Sequence, residues 1–111
     1  MPLPSYRLAG HQVVKVYAVI DIANAARVGQ DLDRVLADCP RGSSVVVDLR
    51  APLLTAAGLD VLEHAHETAL RHGLALRVTT RHALVRKVLR ITGAEHLLDV
   101  HRDLRAVSTH A

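Results

Sequence analysis

Phe and Trp are absent from the chain, and Tyr occurs only at Tyr6 and Tyr17. The core must therefore be built from Val, Leu, Ile and Ala, and modules that stack bases on several aromatic rings are excluded. A single cysteine, Cys39, excludes an intrachain disulfide and any CxxC metal or redox motif. It precedes Pro40 with no histidine close by, which gives no setting for a nucleophile. No apolar run approaches the ~20 residues that span a bilayer. The opening MPLPSYRLAG lacks the apolar stretch of a secretory signal. P-loop, GxGxxG and nucleophile-elbow patterns are missing, the last also around Ser43 and Ser44. These absences point to a small cytoplasmic protein without membrane insertion, cofactor or catalytic machinery.

Charge adds little. The formal net charge is +3, and the surplus lies entirely in residues 81–111, with six basic and three acidic side chains. That is too small an excess to imply nucleic acid. The Arg86, Lys87 and Arg90 group reads as a solvated helix face. Eight histidines invite a metal reading. His64 and His66 fall on different faces of a helix, however, and Glu63, His66 and Glu67 match an ordinary solvated face, so no metal is expected.

What the sequence does have is Val, Leu and Ala in clear periodic patterns over 111 residues, enough for one domain spanning 1–111. Its organising stretch is 43–62. Val45, Val46 and Val47 form a β-branched run suited to a central strand, and Pro52 marks the loop after it. Thr55 stands at the N-cap of a helix opened by Ala56, Ala57 and Gly58.

Residues 5–9 and 12–20 read as paired antiparallel strands about Gly10 and His11. Residues 24–37 form an amphipathic helix capped by Asn24. Its stripe is Val28, Leu32, Val35 and Leu36, with Arg27, Gln30, Asp31, Arg34 and Asp38 opposite. The second helix, 56–72, turns Gly58, Val61, Leu62, Ala65 and Ala69 inward, small enough for close approach to a sheet. Leu59, His66 and Leu70 make an apolar shoulder. A strand at 74–80 and a helix at 82–92 follow, the latter capped by Thr80, with an apolar arc of Leu84, Val85, Val88, Leu89 and Ile91. Gly93 ends that helix. Leu97, Leu98 and Val100 give a short extended segment, and 103–108 a brief last helix. The order ββαβαβαβα predicts an α/β fold, a mostly parallel mixed sheet with an antiparallel N-terminal edge.

Three segments together resemble the STAS domain of sulfate transporters and bacterial anti-sigma factor antagonists. VYAVIDIANA, residues 16–25, is similar to the family's strand-to-helix turn with its Gly-Glu-hydrophobic-Asp pattern. VVVDLRAPLLTAAGLDVL, residues 45–62, resembles the strand, loop and Asp-Ser-x-Gly-Leu signature. VRKVLRITGAEHLLDV, residues 85–100, resembles the third helix and its Thr-Gly turn.

The resemblance implies a STAS-like fold and a non-enzymatic role in protein recognition, most often capture of an anti-sigma kinase in partner switching. In the antagonists that kinase phosphorylates the hydroxyl residue just before the signature Gly. Here Ala57 holds that position and has no hydroxyl, Thr55 replaces the signature Asp, and the preceding loop is one residue short. Ala18 and Val19 stand where Gly and Glu are usual, while Asp21 is kept.

The expected partner surface comprises Asp21, Asn24, Thr55, Ala56, Ala57, Gly58 and the Leu59, His66, Leu70 shoulder. Thr55 reads first as the cap, with a phosphoacceptor displaced two residues early as its alternative role, and no phosphorylation is expected. The expected partner is an anti-sigma factor or kinase, or a related regulator, with a homodimer next. The alternatives are a small-ligand or nucleotide sensor holding phosphate at the Thr55 helix start, and a transporter-associated subunit.

Overall fold

The computed structural model describes residues 3–103 and 105. Strands β1 (Ser5–Leu8) and β2 (His11–Val16) form the N-terminal hairpin. Its turn places Ala9 at φ 51° and Gly10 at φ 84°. Two successive positive φ values match the twist of a two-residue hairpin, and the alanine takes the first of them at a steric cost.

After the hairpin come α1 (Ala25–Asp38), β3 (Ser44–Leu49), α2 (Ala56–Arg71), β4 (Ala75–Thr80), α3 (Ala83–Ile91), α4 (Ala94–Leu97) and β5 (Asp99–His101). The five strands lie in sequence order, β1-β2-β3-β4-β5. The β1–β2 pair is antiparallel and the other three pairs are parallel. The expected mixed α/β sheet with an antiparallel N-terminal edge is therefore found.

Alternation along the strands sorts their side chains into two faces. Val14, Val16, Val45, Val47, Leu49, Leu76 and Val78 meet Val28, Leu32 and Leu36 of α1, Leu62, Ala65 and Ala69 of α2, and Val85 and Leu89 of α3. The opposite face buries Val13 and Val46 against Tyr6. Around them it is polar. Ser44 Oγ lies 2.7 Å from His11 Nδ1 and accepts from Arg77 at 2.8 Å. Arg77 in turn donates to Asp99 at 2.9 Å. Polar groups buried in a sheet are tolerated when each finds a partner, and these do.

Several local expectations are corrected. Asp31 is buried at 7 % exposure, not solvated, and is held by Arg34 at 3.3 Å one turn on. On α2 the inner face also takes Thr68, with Val61 packed on the core but only half-buried, and Arg71 donates to the Thr68 hydroxyl at 3.2 Å. Helix α3 is shorter than its apolar arc suggested. Only Val85 and Leu89 are buried, while Leu84 and Ile91 are exposed. Thr80 does not cap α3 directly; His82 holds the N-cap position and its N–H donates to the Thr80 hydroxyl. Gly93, at φ 77°, turns the chain into α4, which takes in Leu97 of the expected extended segment, while Val100 lies in a strand as expected, from Asp99 to His101. The helix expected at 103–108 lies largely outside the described residues. Among the described residues no helix is long and apolar enough to cross a membrane.

Candidate functional site

The turn from β2 into α1 is a reciprocal lock. Asp21 Oδ1 accepts from the Asn24 N–H at 3.0 Å, and Asn24 Oδ1 accepts from the Asp21 N–H at 2.8 Å. This is the bonding of a capping box, with Asn in the place usually held by Glu or Gln. Asn24 occupies the N-cap position of α1 but makes no side-chain cap to that helix. Its side-chain amide instead donates to the Val19 carbonyl at 3.0 Å. Asp21, read as a turn residue, is thus the cap of an extra helical turn that runs into α1.

Thr55 holds the second junction. Its hydroxyl accepts from the Gly58 N–H at 3.0 Å, as an N-cap should, and donates to the Ile20 carbonyl of the first turn. One side chain therefore caps α2 and ties it to the β2–α1 turn. Gly58 is needed for that closeness. A Cβ there would stand 3.0 Å from Leu54 Cδ1 and 3.4 Å from Ile20 Cβ.

Two shallow grooves open where the junctions meet. One, of about 410 Å³, is lined by Asp21, Ile22, Ala23, Thr55, Ala56 and Ala57. The other, of about 540 Å³, runs between α1 and α2 past Ala25, Ala26, Gly29, Val61 and His64. Ile22 and Ala57 belong to both. Ile22 is 93 % exposed, an apolar side chain standing in solvent at the centre of a mostly apolar surface. Asp21, Asp33 and Asp60 rim the grooves, and among the described residues neither is lined by Lys or Arg. At the far end His64 lies 3.9 Å from Asp33.

The structure thus brings Asp21, Asn24, Thr55, Ala56, Ala57 and Gly58 together. Leu59, His66 and Leu70 line neither groove. At 100° per residue they fall on the flank of α2 opposite Ala57, Asp60, Val61 and His64. Leu59 packs partly against the core, His66 is half-buried, and Leu70 is exposed. Sequence reasoning passed over Ile22; the available signal was a branched aliphatic residue between Asp21 and Asn24, both singled out as turn or cap residues. Elsewhere, half-buried Cys39 has its thiol pushed up mainly by burial, with Arg7 opposing and Asp38 reinforcing the shift. That keeps it protonated at neutral pH.

Comparison with known proteins agrees with this architecture. A crystal structure of an anti-sigma factor antagonist from Mycobacterium paratuberculosis superposes with a TM-score of 0.84 at 25% identity, covering 97% of this chain and 91% of that one. A Thermotoga maritima protein provisionally assigned as an anti-sigma factor antagonist superposes at 0.79, with 10% identity and coverage of 97% and 92%. Among curated proteins none matches in sequence. A model of the STAS domain matches residues 5–107, nearly the whole chain, which therefore belongs to the STAS domain family.

Proposed function

We propose that this STAS domain is a cytoplasmic, non-enzymatic interaction protein that captures a regulator of the anti-sigma factor class on the surface centred on Ile22 and Ala57. The observation that carries the reading is Ile22, 93 % exposed where two apolar grooves join. An isolated turn has no folding reason to hold a branched aliphatic side chain in water, whereas a partner that buries it gains apolar area. The acidic rim of Asp21, Asp33 and Asp60 selects a partner whose apolar anchor is flanked by Lys or Arg. Likeness to an anti-sigma factor antagonist supports the partner class. The grooves give no such support to a phosphate held at Thr55, because their charged groups are acidic and the Thr55 hydroxyl is already engaged.

Calorimetric titration with the purified anti-sigma factor kinases of the source organism tests the proposal. Wild type binds one of them, and Ile22→Asp weakens binding by about 2 kcal/mol or more. Since Ile22 is exposed, that variant keeps its fold. Leu70→Asp, on the opposite flank of α2, leaves binding unchanged. Wild-type affinity in Ile22→Asp would place the partner elsewhere, and no binding to any such kinase would remove the partner class.

A further inference from the structure

The residues that follow the four parallel strands β2, β3, β4 and β5 are Tyr17, Arg50, Arg81 and Arg102. Register pairs Val16 with Leu49, Leu49 with Thr80, and Thr79 with His101. The next step along each strand therefore gathers one tyrosine and three arginines at a single end of the sheet. With His82 they line a cavity of about 320 Å³. His82 Nε2 donates to the Arg50 carbonyl at 3.0 Å, which fixes the imidazole against the wall.

Arg50 is ion-paired with Asp48 at 2.8 Å, so the charges there are cancelled only in part. Asp48 lies at the base, but one of its oxygens accepts from Thr79 at 2.8 Å and the other from Arg50 Nε at 2.8 Å. Arg50 keeps its two terminal nitrogens for another acceptor. Arg81 and Arg102 are exposed and take no hydrogen bond or ion pair among the described residues. Asp103 also stands on the wall and is engaged in an interaction of its own. Among the described residues Arg81 and Arg102 thus stand as unpaired cations beside the Arg50–Asp48 pair, and an anion among them is attracted.

We propose that this cavity binds a phosphate-class oxyanion carrying more than one negative charge, held by Arg50, Arg81 and Arg102 with His82 beside it. Guanidinium forks match phosphate oxygens in pairs. The carboxyl ends of parallel strands are where open α/β sheets take ligands. The volume suits a small molecule and not only a bare ion. Tyr17, 59 % exposed at the rim, offers a ring for stacking. The cavity shares no lining residue with the grooves around Ile22, so the site stands or falls independently of the proposed docking.

Calorimetry of the full chain at low ionic strength, with inorganic pyrophosphate and with ADP as probes, tests it. Pyrophosphate binds saturably at one site and more weakly as salt is raised. Arg81→Gln and Arg102→Gln each weaken it about tenfold or more while leaving the thermal midpoint unchanged. Both side chains are exposed and lack structural partners, so both variants fold; Arg50 is avoided because its loss would orphan Asp48. Arg27→Gln, on the surface of α1, leaves the affinity as it was. If ADP binds more tightly than pyrophosphate and Tyr17→Leu removes the gain, the ligand is a nucleotide; with equal or lower ADP affinity, the site reads phosphate groups alone. No saturable binding of either probe overturns the proposal. So does binding that both arginine variants leave intact.

Discussion

Thr55 uses one hydroxyl in two directions, accepting from Gly58 and donating to Ile20. Its capping role was legible because a cap is written within four consecutive residues. The Ile20 bond was not, since it joins positions 35 apart that only the fold brings together. Asp21 and Asn24 were each singled out, yet their reciprocal bonding depends on the backbone between them and not on residue type. The energetic consequence can be measured at Thr55. Thr55→Ala leaves the Gly58 N–H and the Ile20 carbonyl without their partner, and should cost about 1–2 kcal/mol in urea unfolding. Thr55→Ser, which keeps the oxygen, should recover most of it. A neutral Thr55→Ala would mean that this junction does not hold α2 to the turn.

Among the elements, α2 does most to position the site, because the depth of its docking sets where Ala57 and Thr55 stand. Its inner face is small. Gly58, Ala65 and Ala69 are buried beside Leu62 and Thr68. This pattern was readable because period and residue size both act locally. Burial of Asp31 and Thr68 was not readable, since a polar residue goes inside only when a neighbour supplies its bond, as Arg34 and Arg71 do here. Exposure of Leu84 and Ile91 was missed for the converse reason: an apolar arc on a short helix is buried only as far as the sheet extends beneath it. Close packing of α2 makes a definite claim. Ala65→Leu and Ala69→Leu should each destabilise by about 1–3 kcal/mol through overpacking. Ala37→Leu, at an exposed position of α1, should be near neutral. Chemical denaturation checks all three, and near-neutral results at 65 and 69 would place this face away from the sheet.

At the scale of the molecule, sequential strand order sends every parallel β-to-α connection out of the same end of the sheet. The β2–α1 and β3–α2 connections leave past Tyr17 and Arg50 and go on to build the grooves around Ile22 and Ala57. One end of the fold thus carries an acidic-rimmed apolar surface and a basic cavity side by side. The architecture was legible because alternating strand and helix patterns constrain topology strongly. The arginine cavity was not: its members are spread along the chain and meet only through strand register. The proposed docking surface also bears on regulation. Among the described residues Thr55 is the only hydroxyl-bearing one lining either groove, and Ala57 stands just before Gly58, the position that the family resemblance implies for an acceptor. Phosphorylating Thr55 would require breaking the bond to Ile20 and the cap on α2 together, and the phosphate would then face Asp21 across the same groove. Incubation with an anti-sigma kinase and ATP is therefore expected to leave the intact mass of the protein unchanged, and binding should persist whether or not ATP is present. Ala57→Ser restores a hydroxyl at the surface without disturbing Thr55, and a mass shift confined to that variant would identify position 57 as the silenced switch. A phosphate mapped to Thr55 in the wild type would reverse the assignment and make the capping hydroxyl the regulated group.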